Sequence, residues 1–413
     1  MSSAPAIPRR SWTRLDGVDL LRGLAIFFVV MNHINIRLVG AEVPYTKDLP
    51  KQLVHFLVWN GQLGVQMFFV VSGFLITSIS LRRWSPISRI SLRDFYILRF
   101  ARIAPLLLAL LGLLSALHFA AVPHFIVTEK TGGLGRALLA ALTFHVNVLE
   151  ARHGYLPANW DILWSLSVEE MFYLFFPLIA RVLGRGYWFV ALLLTFLVLG
   201  PFGRTVWAHG NGIWEDYSYL GGMEGIAIGC LTGLLVSRIR FSGVVVRALG
   251  ITGTAIVTCS LIFSWQAYTG WLGSTGLNMT VLGVGTALFI AATAQTQWRS
   301  RRLLGPLLHI GQYSYEVYLT HMFVVWIFFA LFVKAGSRMA FVPALFVVTI
   351  LCAGGLGFLV ARFYSEPLNC KLRNRFDDGP KRLGSALEPE PATAAEKSWG
   401  PNDRGKAPLI ETE

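Results

Sequence analysis

Charged residues are scarce in this chain. Only 14% of its 413 residues are Asp, Glu, Lys or Arg, whereas soluble domains contain about 25%. Acidic residues are the scarcer kind, 23 against 36 basic residues, and the mean hydropathy is +0.56. This composition excludes an ordinary soluble domain and indicates an integral membrane protein. Because a membrane-spanning segment must satisfy its own backbone hydrogen bonds, we predict an all-α polytopic bundle of about ten transmembrane helices.

Cysteine is scarce too, and the spacing of the four cysteines excludes a metal or disulfide framework. Three of them lie in apolar runs, so we predict no metal site, and we expect no permanently bound cofactor. The Lys and Arg residues occur in short clusters between apolar runs, which is typical of positive-inside topology and not of a nucleic-acid-binding stripe. We therefore expect a lipid bilayer, and no nucleic acid, as the surroundings of this chain. The cysteines are Cys230, Cys259, Cys352 and Cys370.

Apolar runs long enough to cross a bilayer alternate with basic loops along the chain. With ten crossings, every basic loop falls on the side of the N-terminus. The pattern predicts a multi-pass protein of the bacterial inner membrane with both termini in the cytoplasm. Residues 135–150 are short and polar, and we predict a re-entrant or interfacial helix on the outer face. The runs are 19–38, 62–81, 98–120, 162–183, 187–203, 219–237, 244–265, 275–294, 308–333 and 341–364.

Three segments follow from this pattern. Residues 1–15 are predicted to be a cytoplasmic segment, and residues 16–368 the membrane domain. The first apolar run is expected to be an uncleaved signal anchor because no small-residue cleavage site follows it. From 369 to 413 the chain is polar and rich in Pro, Ala and Glu, which predicts a disordered cytoplasmic tail. Any chemistry is therefore expected in the membrane domain.

Arg22 and His33 are the most informative pair. They are eleven positions apart in the first run, on nearly the same helix face and about 16 Å apart along the axis. Ionisable groups inside a membrane segment are costly and tend to mark a site. The alternative is that Arg22 reaches the inner headgroups while His33 lies at the outer interface.

Two further segments carry polar groups at defined depths. Arg99 and Arg102 open the third run, and either anchor it on the cytoplasmic side or bind phosphate. The segment WSLSVEEMFY places Ser165, Glu169 and Tyr173 one helical turn apart on one face. A carboxylate there is either a general acid or base, or the structural partner of a buried arginine.

Residues of two other runs present the same choice more weakly. Glu224 lies near the outer start of the sixth run. In YSYEVYLTH, Glu316 and Tyr318 precede His321. A single histidine on such a helix is more often a hydrogen-bonded core residue than a catalyst.

Together these segments resemble the integral membrane acyltransferase family 3, whose members are O-acyltransferases of lipopolysaccharide, exopolysaccharide, peptidoglycan and macrolide sugars. The resemblance covers about residues 16–368, and six weak motifs occur in the family's order. They are LDGVDLLRGLAIFFVVMNH, with Arg22 and His33; GVQMFFVVSGFLIT (64–77), with Ser72; RFARIAP (99–105); WSLSVEEMFYLFFP (164–177); IGQYSYEVYLTH (310–321); and YSEPL (364–368).

The resemblance implies an enzyme that takes acyl-CoA, expected to be acetyl-CoA, as co-substrate and a glycan or glycolipid as acceptor. His33 is then the general base or a transient acyl carrier, and Glu169 supports its imidazolium or exchanges roles with it. Arg99 and Arg102 hold the phosphates of the donor. The predicted substrate-binding set is Arg22, Arg99, Arg102, Ser72, Ser165, Tyr173, Glu224 and His321.

Two other classes of protein also fit an intramembrane Arg, His and Glu. A secondary transporter would show inverted repeats and broken helices, and we see no such symmetry. A non-catalytic envelope assembly factor would tolerate the loss of His33. Segments 121–161 and 204–218 contain Trp, Tyr, Asn and Asp, which either face a sugar or anchor the chain at the interface.

Overall fold

The structure is a computed structural model that describes residues 15–300 and 302–376. Helices and turns make up the described part, which contains no strand, so the prediction of an all-α fold is confirmed. The α-helices are α1 Asp16–Gly40, α2 Lys51–Val58, α3 Gly61–Arg83, α4 Leu92–Phe119, α5 Gly133–Leu142, α6 Val146–His153, α7 Leu163–Leu183, α8 Trp188–Arg204, α9 Gly212–Tyr217, α10 Tyr219–Arg238, α11 Gly243–Ile262, α12 Ser264–Thr269, α13 Trp271–Ser274, α14 Leu277–Thr296, α15 Gly305–Gln312, α16 Ser314–Lys334, α17 Val342–Val360 and α18 Glu366–Phe376.

Each of the ten predicted apolar runs is largely helical in the structure. Within residues 15–300 and 302–376, nine helical segments are long and apolar enough to cross a membrane, and α8 is a shorter apolar helix of 17 residues. The length of α8 is about 25 Å, slightly less than the hydrocarbon thickness of a typical bilayer. The chain is thus a multi-pass membrane protein.

Consecutive spans run in opposite directions, so their loops meet at two ends of the bundle. At one end Asp16, which begins α1, accepts a hydrogen bond of 3.2 Å from Arg299, beyond α14. At the other end Asn60, before α3, donates a hydrogen bond of 2.9 Å to the carbonyl of Leu261, near the end of α11. We call these the Asp16 end and the Gly40 end, after the first and last residues of α1.

The centre of the bundle is formed where α3 and α10 cross. Within the apolar window of each helix, 72% is buried for α3 and for the segment containing α10, against 22% for α11 on the periphery. Glycines allow the central backbones to approach. A methyl group on Gly73 would lie 1.9 Å from the carbonyl oxygen of Ile226, and one on Gly229 would lie 2.0 Å from that of Val70. Small residues at such crossings are the usual means of packing membrane helices closely.

Replacing Gly73 by alanine is therefore expected to separate α3 from α10. The added methyl group meets backbone, which cannot rotate away, and overpacking of this kind costs roughly 1–3 kcal/mol or more. The measurement is the apparent melting temperature of detergent-solubilised protein. Gly112→Ala is the matched control, because a methyl group there meets nothing within 4 Å and alanine favours a helix. Equal melting temperatures for the two variants would contradict this packing.

One predicted span is broken in the structure. The run 308–333 forms two helices, α15 and α16, which meet at Tyr313. The break lets α15 lie against α1 at two glycines. A methyl group on Gly311 would lie 1.9 Å from the carbonyl oxygen of Asp19, and one on Gly23 would lie 2.1 Å from that of Leu307. The prediction of a single helix was wrong because a hydropathy profile contains no information about the close backbone contact between α15 and α1.

The position of the two arginines in the third span also differs from the prediction. The helix α4 begins at Leu92, not near residue 98. Ser91 caps it by accepting a hydrogen bond from the backbone N–H of Asp94. Arg99 and Arg102 therefore lie two to three turns inside the helix instead of at its first turn.

The segment 135–150 forms two short helices, α5 and α6, and not one. Phe144, between them, has a left-handed backbone with φ of 59°, and the Thr143 hydroxyl donates back to the carbonyl of Leu139 at 2.6 Å. With 10 and 8 residues, both helices are too short to cross. This agrees with the prediction that the segment does not span.

The last helices continue beyond the predicted membrane domain. A π-type turn at Ala361–Ser365 joins α17 to α18, which ends at Phe376. The tail predicted to begin at 369 is thus helical in its first part. The rest of that tail, 377–413, and residues 1–14 of the predicted N-terminal segment lie outside the described residues.

Candidate active site

His33 and His321 face each other inside the bundle. Their ring centroids are 5.1 Å apart, although α1 and α16 are far apart in sequence. His321 is fully buried. We predicted it to be a substrate-binding residue and considered a core role, but nothing in the sequence indicated that it adjoins His33. The spacing of three residues between Tyr318 and His321 was the only available signal, since it places both on one face of α16.

Hydrogen bonding fixes the tautomer of neutral His321. Its Nδ1 lies 2.6 Å from the carbonyl oxygen of Tyr318, and a carbonyl only accepts, so Nδ1 carries the hydrogen. The Nε2 of His321 is then an acceptor, and this atom is buried without a hydrogen-bond partner. The Nδ1 of His33 is also buried without a partner, whereas its Nε2 is not among the buried unpartnered atoms. The two facing rings therefore each have one buried nitrogen without a hydrogen-bond partner.

Glu169 forms a second cluster with hydroxyl groups from two helices. Its carboxylate accepts hydrogen bonds from Ser72 on α3 and, at 2.6 Å, from Tyr173 one turn further along α7. Ser72 also contacts the Tyr173 hydroxyl. Arg99 from α4 covers the cluster, with its Cζ atom 3.8 Å from the centre of the Tyr173 ring. Four predicted site residues are thus brought together.

The predicted pairing of Glu169 with His33 is not formed. No hydrogen bond or ion pair between described residues joins Glu169 to either histidine, and the hydroxyls of Ser72 and Tyr173 both bond its Oε1. The position next to His33 is taken by His321 instead. The sequence could not distinguish these partners, since it does not show that α16 packs against α1.

Ser165 and Tyr318 connect α7 to the histidine pair. Their hydroxyl oxygens are 2.6 Å apart. Tyr318 also places its ring 5.7 Å from that of His321, in addition to holding Nδ1 of His321 through its carbonyl. Ser165 was predicted as a substrate-binding residue. In the structure it bonds Tyr318, which in turn contacts His321.

Arg22 lies at the Asp16 end of the same helix as His33. Its Nε donates a hydrogen bond of 2.9 Å to Ser314, the first residue of α16, and Asp19 is 3.7 Å away. The charges of Arg102, Glu316 and Glu169 act on Arg22 as well. The predicted separation of Arg22 from His33 along α1 is preserved, because α1 is one uninterrupted helix.

Arg102 is paired with a carboxylate. Its Nη1 and Nη2 atoms lie 2.9 Å and 3.3 Å from the two oxygens of Glu316, whose side chain is completely buried. We predicted Arg102 as a free phosphate-binding cation, but a bidentate pair largely neutralises it. Arg99, in contrast, forms no ion pair in the part of the chain that the structure describes, although its charge acts on Glu170. Of the two predicted phosphate-binding arginines, Arg99 is the one left available.

Glu224 belongs to a separate cluster. It forms an ion pair with Arg204 of α8 and accepts a hydrogen bond from Thr280 of α14. Arg204 also donates to the carbonyls of Gly221 and Gly276. These contacts tie three helices together, and none of them reaches another predicted site residue. We therefore reassign Glu224 from substrate binding to the packing of the bundle.

Comparisons with known proteins find similarity over most of the chain. Residues 15–357 match the sequence profile of the acyltransferase domain of family 3. The O-acetyltransferase OatA of Staphylococcus aureus is 24% identical over 394 residues, 90% of this chain and 60% of that protein. The peptidoglycan O-acetyltransferase OatA of Listeria monocytogenes is 26% identical over 339 residues, 76% of this chain and 50% of that protein.

The match covers the part of the chain that contains both histidines and the arginines of the Asp16 end. The chain spans about 60% of the length of the first curated relatives it matches, and no solved structure matches it. Because the profile covers most of the chain, this protein belongs to the membrane acyltransferase family 3.

Proposed function

We propose that this protein is a membrane-bound O-acyltransferase. It would transfer an acyl group, expected to be acetyl, from acyl-CoA to a hydroxyl of a sugar in a cell-surface or secreted glycan or glycolipid. The observation that carries the proposal is the facing pair of His33 and His321 within the acyltransferase domain. The names of the relatives, which are O-acetyltransferases, support the acyl group and the oxygen acceptor.

His33 is the proposed base. Because neutral His321 offers a bare Nε2, His33 is best accommodated with its hydrogen on Nδ1, facing that acceptor. The Nε2 of His33 then carries the lone pair on the accessible side. Ring centroids 5.1 Å apart allow two imidazoles to share an N–H···N hydrogen bond edge to edge after a small ring rotation. His321 would thus set the tautomer of His33, as the carboxylate of a triad does.

In the proposed reaction, Nε2 of His33 accepts the proton of the acceptor hydroxyl. The oxygen attacks the thioester carbonyl, the C–S bond breaks, and the CoA thiolate leaves and takes the proton from His33. The products are an O-acyl ester and CoA. His33 can alternatively take the acyl group on Nε2 and pass it to the hydroxyl in a second step, and trapping an acyl-imidazole separates the two courses.

The Asp16 end is the proposed entry for acyl-CoA. Most basic loops lie there, which by the positive-inside rule makes it the cytoplasmic end of a protein in the bacterial inner membrane. Arg99 forms no ion pair among the described residues, and Arg22 lies on the same helix face as His33. Phosphate oxygens match the fork of a guanidinium, so we assign the donor phosphates to this end.

The proposal is tested in a strain deleted for the gene. Complementation with the full chain is expected to restore base-releasable acetate on the isolated envelope glycan, read by mass spectrometry. The transporter and assembly-factor alternatives predict that a chain with His33 replaced restores as much ester as the wild type. No ester in the complemented strain, with the protein present in its membranes, would contradict the proposed function.

The two arginines of α4 are expected to behave differently. Arg99→Gln should raise the KM for acyl-CoA roughly tenfold or more, as expected for one lost charge-assisted hydrogen bond to phosphate, without lowering thermal stability. Arg102→Gln should mainly destabilise the protein, by about 3 kcal/mol, because it leaves the carboxylate of Glu316 buried and unpaired.

Kinetics and melting curves on purified variants measure both effects. The double variant Arg102→Gln/Glu316→Gln is the control, since it removes both charges and should recover much of the lost stability. An unchanged KM for acyl-CoA in the Arg99→Gln protein would show that Arg99 does not bind the donor and only anchors α4 on the cytoplasmic side.

A further inference from the structure

A third ionisable residue follows Arg22 and His33 on α1. Arg37 lies one turn beyond His33 toward the Gly40 end, about 6 Å along the axis and on the same side of the helix. Its Nε atom is buried without a hydrogen-bond partner. No ion pair or hydrogen bond joins the side chain of Arg37 to another residue of the described part. A guanidinium with unused donors next to a catalytic imidazole is a group that a ligand can satisfy.

Aromatic rings hold this guanidinium in place. The Cζ atom of Arg37 lies 4.7 Å from the centre of the Trp326 ring. Trp326, on α16, is in turn stacked on His124 with a centroid distance of 3.9 Å and an angle of 13°. A cation against a ring face is stabilised without the use of its N–H groups. The stack therefore positions Arg37 and leaves its donors free.

A carboxylate with spare acceptor capacity faces the same region. The charge of Asp161, just before α7, acts on Arg37, and that of Arg37 on Asp161, yet the two groups form no ion pair. Asp161 accepts a hydrogen bond of 3.3 Å from the hydroxyl of Tyr217. Tyr217 is fixed by stacking on Trp164 at 3.9 Å. Arg37 and Asp161 are thus close enough for their charges to interact, but they do not form an ion pair.

Glu150 is a second buried acidic group in this region. It is completely buried in α6, and its Oε1 accepts a hydrogen bond of 2.9 Å from the backbone N–H of Leu156. Burial, and then the neighbouring Asp161, raise the pKa of Glu150 well above its ordinary value. Burial thus disfavours the charged form of Glu150, which interacts closely with Asp161.

We propose that Arg37 and Asp161 form the acceptor subsite, which binds two neighbouring hydroxyl groups of a sugar ring. One hydroxyl donates to Asp161 and accepts from Arg37, as hydroxyls do, and its neighbour is directed toward His33. This inference rests on the proposed function, because it assumes that a sugar hydroxyl is the acceptor at His33. In this proposal the sugar is recognised by Arg37 of α1 and Asp161 of segment 121–161, and Tyr217 of segment 204–218 supports Asp161.

The test measures donor and acceptor binding separately. In the deletion strain, Arg37→Gln and Asp161→Asn should each lower base-releasable acetate on the envelope glycan roughly tenfold or more at matched protein levels. The Kd of the purified variants for acetyl-CoA, measured in nanodiscs, should stay within about twofold of the wild type. Arg37→Lys should recover part of the ester, because it keeps the charge but not the fork.

Two controls separate binding from folding. Arg152→Gln removes an exposed arginine of α6 at the same end of the bundle and should leave the ester unchanged. Tyr217→Phe removes only the hydroxyl that supports Asp161 and should have a smaller effect than Asp161→Asn. Wild-type ester levels with Arg37→Gln, or an acetyl-CoA Kd that changes as much as the ester does, would overturn the subsite. Absence of ester with the wild-type chain would instead overturn the proposed function itself.

Discussion

Replacing His33 by glutamine is expected to lower acyl transfer by roughly three orders of magnitude, within the range for loss of a general base. Glutamine has a similar length and keeps a hydrogen bond, but its amide cannot accept the proton of the acceptor hydroxyl, nor can it carry an acyl group. The residue is only half-buried, so the substitution should leave the amount of folded protein unchanged. Base-releasable acetate per unit of membrane protein in the deletion strain measures the effect.

The control for this result is His145→Gln. His145 lies between α5 and α6, where one of its ring nitrogens is 2.7 Å from the Thr143 hydroxyl, outside the histidine pair. That variant should retain full activity. Near-normal acylation by His33→Gln at matched expression would remove His33 from the reaction and favour a non-catalytic role for the family domain in this chain.

The order and location of the spans could be predicted from the sequence because they depend on hydropathy, a local property. The helix boundaries that were predicted wrongly depend on contacts and turns that hydropathy does not describe. The break at Tyr313 exists because Gly23 and Gly311 let α15 lie against α1, and no hydropathy window contains that information. In the same way, the segment 135–150 has the length and polarity of one interfacial helix, but the backbone turns at Phe144.

The candidate site was predictable by residue type but not by pairing. The sequence marked Glu169, Arg102 and His321 as chemically notable, and each of them lies at a polar contact. Which carboxylate meets which arginine is decided by the rotation of each helix about its axis, and the sequence does not fix that angle. For this reason Arg102 was assigned to phosphate although Glu316 neutralises it. Arg37 was overlooked because an arginine at a helix end is usually a membrane anchor.

His321 provides the second large effect, and its variants distinguish positioning from packing. Asparagine can keep the donor that bonds the Tyr318 carbonyl but places nothing at the position of Nε2. His321→Asn is therefore expected to lower kcat roughly 100-fold, which is less than the loss of the base itself, with the KM for acyl-CoA nearly unchanged. Glutamine can place its amide oxygen near the position of Nε2 and accept from His33, so His321→Gln should recover part of kcat.

A residue that served only for packing would behave otherwise. In that case activity would follow the amount of folded protein, and the glutamine and asparagine variants would be equally impaired. Val325→Ala, which removes a buried side chain one turn further along α16, shows what lost packing alone does: a lower melting temperature with an unchanged kcat per folded molecule. Because His321 fixes the tautomer of His33 in the proposed mechanism, His321→Asn should also shift the pH profile of kcat, whereas Val325→Ala should not. An unshifted profile together with a kcat loss that tracks melting temperature would assign His321 to the core and leave His33 to act without a positioning partner.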